Sequence, residues 1–211
     1  AVTLAKMAAG TDGNLITYDA SGDPAYVATG AATEVLTSNG AGAAPTFQAA
    51  PGGLFSAYAI ICDQKSAGTA GGTFTQDAWQ TRDLNTELAD PSSIVTISTN
   101  QFTLGAGNYL VKWSAPAVQV DRHQTRFFDH SGVGAALGTG TPENAETTMT
   151  GYPAEDNKIS NRSIGMIRLT PSGDTPYSIE HYCTVTNATD GFGIAANFGR
   201  PETYTIVEIY K

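Results

Sequence analysis

Cationic residues are scarce in this chain, where 11 Lys and Arg stand against 20 Asp and Glu for a formal charge of −9. Sequence-independent nucleic-acid binding needs clustered cations to neutralise phosphates, so the composition argues against it, and equally against electrostatic docking on an anionic membrane. Cysteine occurs only at Cys62 and Cys183. Two thiols make neither a disulfide framework nor a compact metal-ligand spacing, and they read as small buried apolar groups in strands, with a bridge between them left open. No apolar run approaches the roughly 20 residues of a membrane-spanning helix, so membrane insertion is not expected. The first residues lack the basic region and apolar core of a secretory signal, and no export is expected. Ala1 is of the small type exposed when an initiator Met is trimmed, so it is expected to be either a mature start or a fragment boundary.

Catalytic signatures are also missing. No Gly-x-Ser-x-Gly elbow supports acyl transfer, and the spacings of His123, His130 and His181 match no compact zinc motif. A glycosidase needs two carboxylates at a set separation across a cleft, which abundant acids alone do not define. No catalytic residue, cofactor or metal is therefore expected, and the chain is read as a binding protein.

Turn residues are plentiful. Over residues 10–48, Leu15, Ile16, Tyr18, Tyr26, Val27, Val35, Leu36 and Phe47 alternate with Asp-Gly, Ser-Gly-Asp-Pro and Asn-Gly turn signals. About forty residues so composed cannot enclose a core. Other copies of the chain are expected to supply the partner surface, with Leu15, Ile16, Tyr18, Tyr26, Val35 and Leu36 as the candidate inter-chain contacts. Residues 40–53 are dense in Gly, Ala and Pro, which places a boundary near residue 50. The expected organisation is a β-rich stalk or anchor over 1–50 and a head over 51–211.

Beyond the boundary, runs rich in Val, Ile, Thr, Tyr and Phe recur over 55–62, 93–98, 109–115, 123–128, 164–170, 177–186 and 203–210, bounded by Gly, Pro, Asn and Asp. In the last run Thr205, Val207 and Ile209 share one face while Tyr204, Ile206, Glu208 and Tyr210 share the other. No segment shows helical periodicity. The fold class expected is all-β, an antiparallel sandwich of the jelly-roll kind, with the closing strand inside a sheet. Trp113 falls in a strand pattern and is expected in the core, whereas Trp79 is expected to pack at a subunit interface or stack on a sugar. Gly191-Phe192-Gly193 reads as a tight turn.

Recognition is expected at polar strand faces and loops. Along Val120–Arg126, Asp121, His123 and Thr125 alternate with Arg122, Gln124 and Arg126, and one of these rows can be a receptor contact or a surface and inter-subunit face. Arg122 and His123 are the candidates there. Residues 129–157, rich in Gly, Thr, Pro and acid, read as a variable loop in which Tyr152, Glu143 and Glu146 are the candidate contacts.

Two resemblances sharpen these expectations. The layout NQFTLGAGNYLV, with Phe102 and Leu104 before a Gly turn and a Tyr109-led strand, resembles the tumour-necrosis-factor-like and complement-globular-head-like jelly roll. GTDGNLITYDASG and VLTSNGAGAAPTFQ, followed by FTQDAWQTRDLNTEL, SAPAVQVDRHQTRFF and the closing HYCTVTNATDGFGIAANFGRPETYTIVEIYK, resemble bacteriophage fibre and spike proteins. That resemblance covers most of residues 54–211 as well as the stalk; residues 129–157 match none of its motifs. It implies a homotrimer in the virion, assembled in bacterial cytoplasm, held to another virion protein through residues 1–50, its head binding a host glycan or surface protein. The alternatives are a capsid decoration or head-fibre protein gripping the shell through residues 1–50, and a polysaccharide-degrading tailspike.

Overall fold

The computed structural model describes residues 10–50, 53–147 and 158–211, and every regular element within them is a β-strand. The chain divides between Leu54 and Phe55 into two units.

The first unit is a pair of hairpins. Strand β1 (Leu15–Tyr18) pairs with β2 (Pro24–Val27), and β3 (Glu34–Thr37) pairs with β4 (Thr46–Ala49), both antiparallel. In the first turn the Asp19 carboxylate accepts the amides of Ser21 and Asp23 at 2.8 and 3.0 Å, and Gly22 supplies the left-handed residue at φ +83°. In the second, the Asn39 amide donates to the Ala44 carbonyl and to the Thr46 hydroxyl. The cross-strand pair Ile16↔Tyr26 recurs as Leu36↔Phe47, so the two hairpins are versions of one ββ unit. A two-stranded sheet is marginal alone in water. Leu15, Ile16, Tyr18, Tyr26, Val35 and Leu36 are all 40–67% exposed, and of the large apolar side chains among the described residues of this unit only Val27 is buried.

The second unit begins with β5 (Tyr58–Lys65), β6 (Gln80–Thr81), β7 (Thr86–Ala89), β8 (Val95–Ser98), β9 (Gln101–Leu104) and β10 (Tyr109–Val118). It continues through β11 (Asp121–Asp129), β12 (Ala135–Thr139), β13 (Glu143–Ala145), β14 (Ser160–Leu169), β15 (Thr175–Cys183) and β16 (Glu202–Tyr210). One sheet runs β14-β10-β16-β5-β7. The other runs β12-β11-β15-β9-β8, with β13 added on β11 and β6 on β15. Every pairing is antiparallel, and the chain passes repeatedly from one sheet to the other, with β8–β9 and β11–β12–β13 following one another inside the second, as in a jelly roll.

Period-two alternation explains the core. Ile61, Val111, Trp113, Val207 and Ile209 of the first sheet meet Phe102, Leu104, Phe127, Tyr177 and Ile179 of the second, nearly all at 0–1% exposure. Each such burial contributes roughly 1.5–3 kcal/mol. The closing strand β16 lies between β10 and β5, interior to its sheet. Cys62 and Cys183 are free and buried.

Inside 129–157, residues 135–139 and 143–145 are strands, not loop, because β11 presents an edge long enough for two short partners. Strands β6, β7 and β9 also go beyond the sequence expectation. They are short and pair over two to four residues, too few for alternation to stand out.

Candidate functional site

The outer face of the second sheet is polar where its inner face is apolar. Along β11, His123 and Thr125 point inward and are 3% and 0% exposed, while Arg122, Gln124 and Arg126 point outward beside Thr184, Tyr182 and Glu180 of β15. Arg126 forms an ion pair with Glu180 at 2.5 Å, and its guanidinium lies 4.3 Å from the Trp79 ring centroid. Trp79, 38% exposed, packs on Tyr182 with centroids 5.5 Å apart. The Tyr182 hydroxyl donates to Asp77 Oδ1 at 3.1 Å, which pushes its ionisation upward.

Where β13 adds to β11, an open groove of about 490 Å³ forms, lined by Arg122, Gln124, Glu143, Asn144, Tyr182 and Thr184 among others. A neighbouring recess of about 450 Å³ is shared by Asp121, Arg122, Asn144, Glu146 and Thr147. The register sets this cluster: Arg122 stands opposite Asn144 and His123 opposite Glu143. Sequence reasoning missed Asn144 and Tyr182. The run 177–186 alternates Tyr177, Ile179 and Cys183 inward, which puts Tyr182 on the outer row, and that was the available signal.

Of the receptor candidates, Arg122, His123, Glu143 and Glu146 gather at these two recesses, and Tyr152 lies outside the described residues. His123 needs correction as a surface contact. It is buried, with Nε2 bonded to Asn161 Oδ1 at 2.6 Å and Nδ1 to His181 Nε2 at 2.9 Å. The Asn161 amide nitrogen donates to the Asn144 carbonyl, turning its oxygen toward His123. The proton therefore sits on His123 Nε2, its Nδ1 accepts from His181 Nε2–H, and His181 Nδ1 is left as a bare acceptor with no hydrogen-bond partner among the described residues. Through this chain His123 braces β13 from beneath, at the floor of the groove and 3% exposed.

Burial pushes both imidazoles below their ordinary value, and the buried Arg82 adds to the shift. Arg82 is wholly enclosed, donating to the Thr205 hydroxyl at 2.8 Å and to the carbonyls of Pro116 and Phe192 at 3.2 and 2.6 Å, and stacking on the Phe192 ring. That burial brings its ionisation down to about 9. Among the described residues no group of three or more His, Cys, Asp or Glu converges as a metal set.

The outer face of the first sheet is different. Its rows across the strands read Arg168–Leu110–Tyr210–Tyr58, then Met166–Lys112–Glu208–Ile60, then Ile164–Ser114–Ile206–Cys62. Tyr58, Leu88, Ile164 and Met166 are 45–63% exposed, and Phe55 stacks on Tyr210 at 4.9 Å. The two central charges, Lys112 and Glu208, pair with each other at 3.4 Å.

No protein-family model and no curated protein matches the chain. Among solved structures, it is similar to murine APRIL at pH 8.0, with 7% identity and a TM-score of 0.46 over 74% of this chain and 98% of that one. It is similar to the globular domain of zebrafish complement 1qA protein at 16% identity and a TM-score of 0.40, over 73% and 92%. It is also similar to the Eiger TNF of S. frugiperda at 14% identity and 0.45, over 73% and 91%. The fold class rests on the strand order above: the second unit is an all-β, antiparallel jelly-roll domain.

Proposed function

We propose that this chain is a homotrimeric attachment protein of a bacteriophage particle, a fibre or spike whose jelly-roll head meets the host cell surface and whose N-terminal hairpins join it to another virion protein. The observation that carries the assembly is the exposed apolar face of the first sheet. An apolar patch of that extent, with its central charges already paired to each other, is suited to burial against copies of itself. The hairpins point the same way, since their large apolar groups lack a core in one chain. The phage assignment is supported by the wording of the stalk and head sequences. Three heads on one stalk turn weak single contacts into firm attachment through effective concentration.

The function is binding, and no residue is assigned to catalysis. Light scattering of the full chain at micromolar concentration should give three times the chain mass. A monomer mass would overturn the assembly. Antibody raised against the head should label virions and block their adsorption to cells, and unlabelled particles would remove the virion assignment. Incubation with host polysaccharide should leave its chains at full length.

A further inference from the structure

Several groups in the groove beside β13 have unused hydrogen-bonding capacity. The Arg122 guanidinium and the Asn144 amide, paired opposite each other on the outer row, have neither a hydrogen bond nor an ion pair among the described residues. They stand beside Tyr182, whose ring is held by its bond to Asp77 and by the packing of Trp79. Gln124 is tied to the Gly140 carbonyl through its amide nitrogen, which leaves its oxygen to the groove.

From this constellation we infer that the groove binds a neutral pyranose unit of a surface glycan, a step that rests on the attachment role proposed above. A pyranose presents a face of C–H groups that packs on an aromatic ring, and vicinal hydroxyls that both donate and accept. Arg122 only donates, the Gln124 oxygen accepts, and Asn144 does both, so a neutral diol satisfies all three. An acidic sugar would meet Glu146 of the neighbouring recess and the chain's net charge of −9, and an amino sugar would meet Arg122. The volume of about 490 Å³ falls in the range of small-ligand sites, roughly 300–1,000 Å³. The groove lies on the outer face of the second sheet, away from the apolar face of the first, so heads associating through that apolar face leave it open.

The test titrates the full chain with neutral tetrasaccharides of glucose, mannose, galactose and N-acetylglucosamine to about 10 mM, the range of a shallow millimolar site, with polygalacturonate as the anionic arm. Trp79 is exposed and Trp113 is 1% exposed, so tryptophan emission reports on the groove side, with calorimetry alongside. At least one neutral sugar should give a saturable change. Arg122→Ala and Tyr182→Ala should each weaken it by about tenfold, the loss of one good contact, and Arg122→Lys by less. Absence of saturation by every neutral sugar, binding unchanged in both alanine variants, or preference for polygalacturonate overturns the site. Light scattering on the same samples separates the outcomes: a trimer that binds no sugar removes this site alone, whereas a monomer removes the attachment reading beneath it.

Discussion

Single atoms set the tolerances of this head. Trp113 lies directly across from Gly165 in the β10–β14 ladder, and a Cβ on Gly165 would fall 2.0 Å from the indole ring. Gly165→Ala should therefore lower stability by about 1–3 kcal/mol, because the indole is pinned by its bond to Thr125 Oγ1 and cannot retreat. Urea titration would show it, and an unchanged midpoint would mean that the two strands separate at no cost. The imidazole pair makes a second prediction. Both groups fold with depressed values, so the unfolded chain takes up protons first, below about pH 6.5, and the folded chain only at lower pH. Stability present above that point should fall as pH drops, by up to about 1.4 kcal/mol per pH unit for each imidazole. The groups facing the pair are Arg82, which opposes protonation, and Glu143, which favours it at His123. Burial raises Asp63 despite Lys65, and this offsets part of the loss in more acid solution. Denaturant midpoints between pH 7.5 and 5.0 should show the slope, and His181→Gln, which can still donate to His123, should reduce it by about half.

At the scale of elements, β16 is the strand on which the first sheet depends. It pairs on both edges, and Thr205, Val207 and Ile209 supply its buried face. Val207→Asp would place an unpaired carboxylate in the core and should cost about 4 kcal/mol or more, enough to leave little folded head. A native circular dichroism spectrum with an unchanged melting temperature would contradict this placement. The hairpins of the first unit are the reverse case, since their backbone ladders form while Leu15, Ile16, Tyr18, Tyr26, Val35 and Leu36 remain largely exposed. Removing residues 1–54 should leave a soluble β-rich head, because every residue of the main core lies beyond Leu54. Loss of folding in that truncation would show that the head draws stability from the hairpins.

For the whole molecule, the two outer faces of the sandwich divide the work. The apolar rows of the first sheet are proposed to meet sister heads and the polar rows of the second to meet the cell. Ile164→Asp with Met166→Asp should leave each head folded, since both side chains are more than half exposed, and should shift the scattering mass toward that of one chain. A mass that stays trimeric would place the interface elsewhere.

How much of this was legible beforehand differs from residue to residue. Val207, Ile209, Trp113 and the closing strand were readable because alternation over seven or more residues records burial directly in residue type. The hairpins were readable because Asp-Gly, Ser-Gly and Asn-Gly are local demands of the backbone. Arg122 was a candidate from strand alternation and Glu143 and Glu146 from the composition of their segment, but only register brings Arg122 and Glu143 to one groove with Asn144 and Tyr182, with Glu146 in the recess beside it. His123 shows the limit most clearly. Its row was correctly separated from that of Arg122, yet which row faces inward depends on which sheet lies behind the strand, and no local pattern carries that. The sequence by itself determined the longer strands and the turns, because these are settled by neighbours along the chain. The strand order, the buried Arg82 and the His123–His181 pair were decided only by tertiary structure, since a charged or titratable group can be enclosed only where carbonyls and hydroxyls from distant strands converge on it.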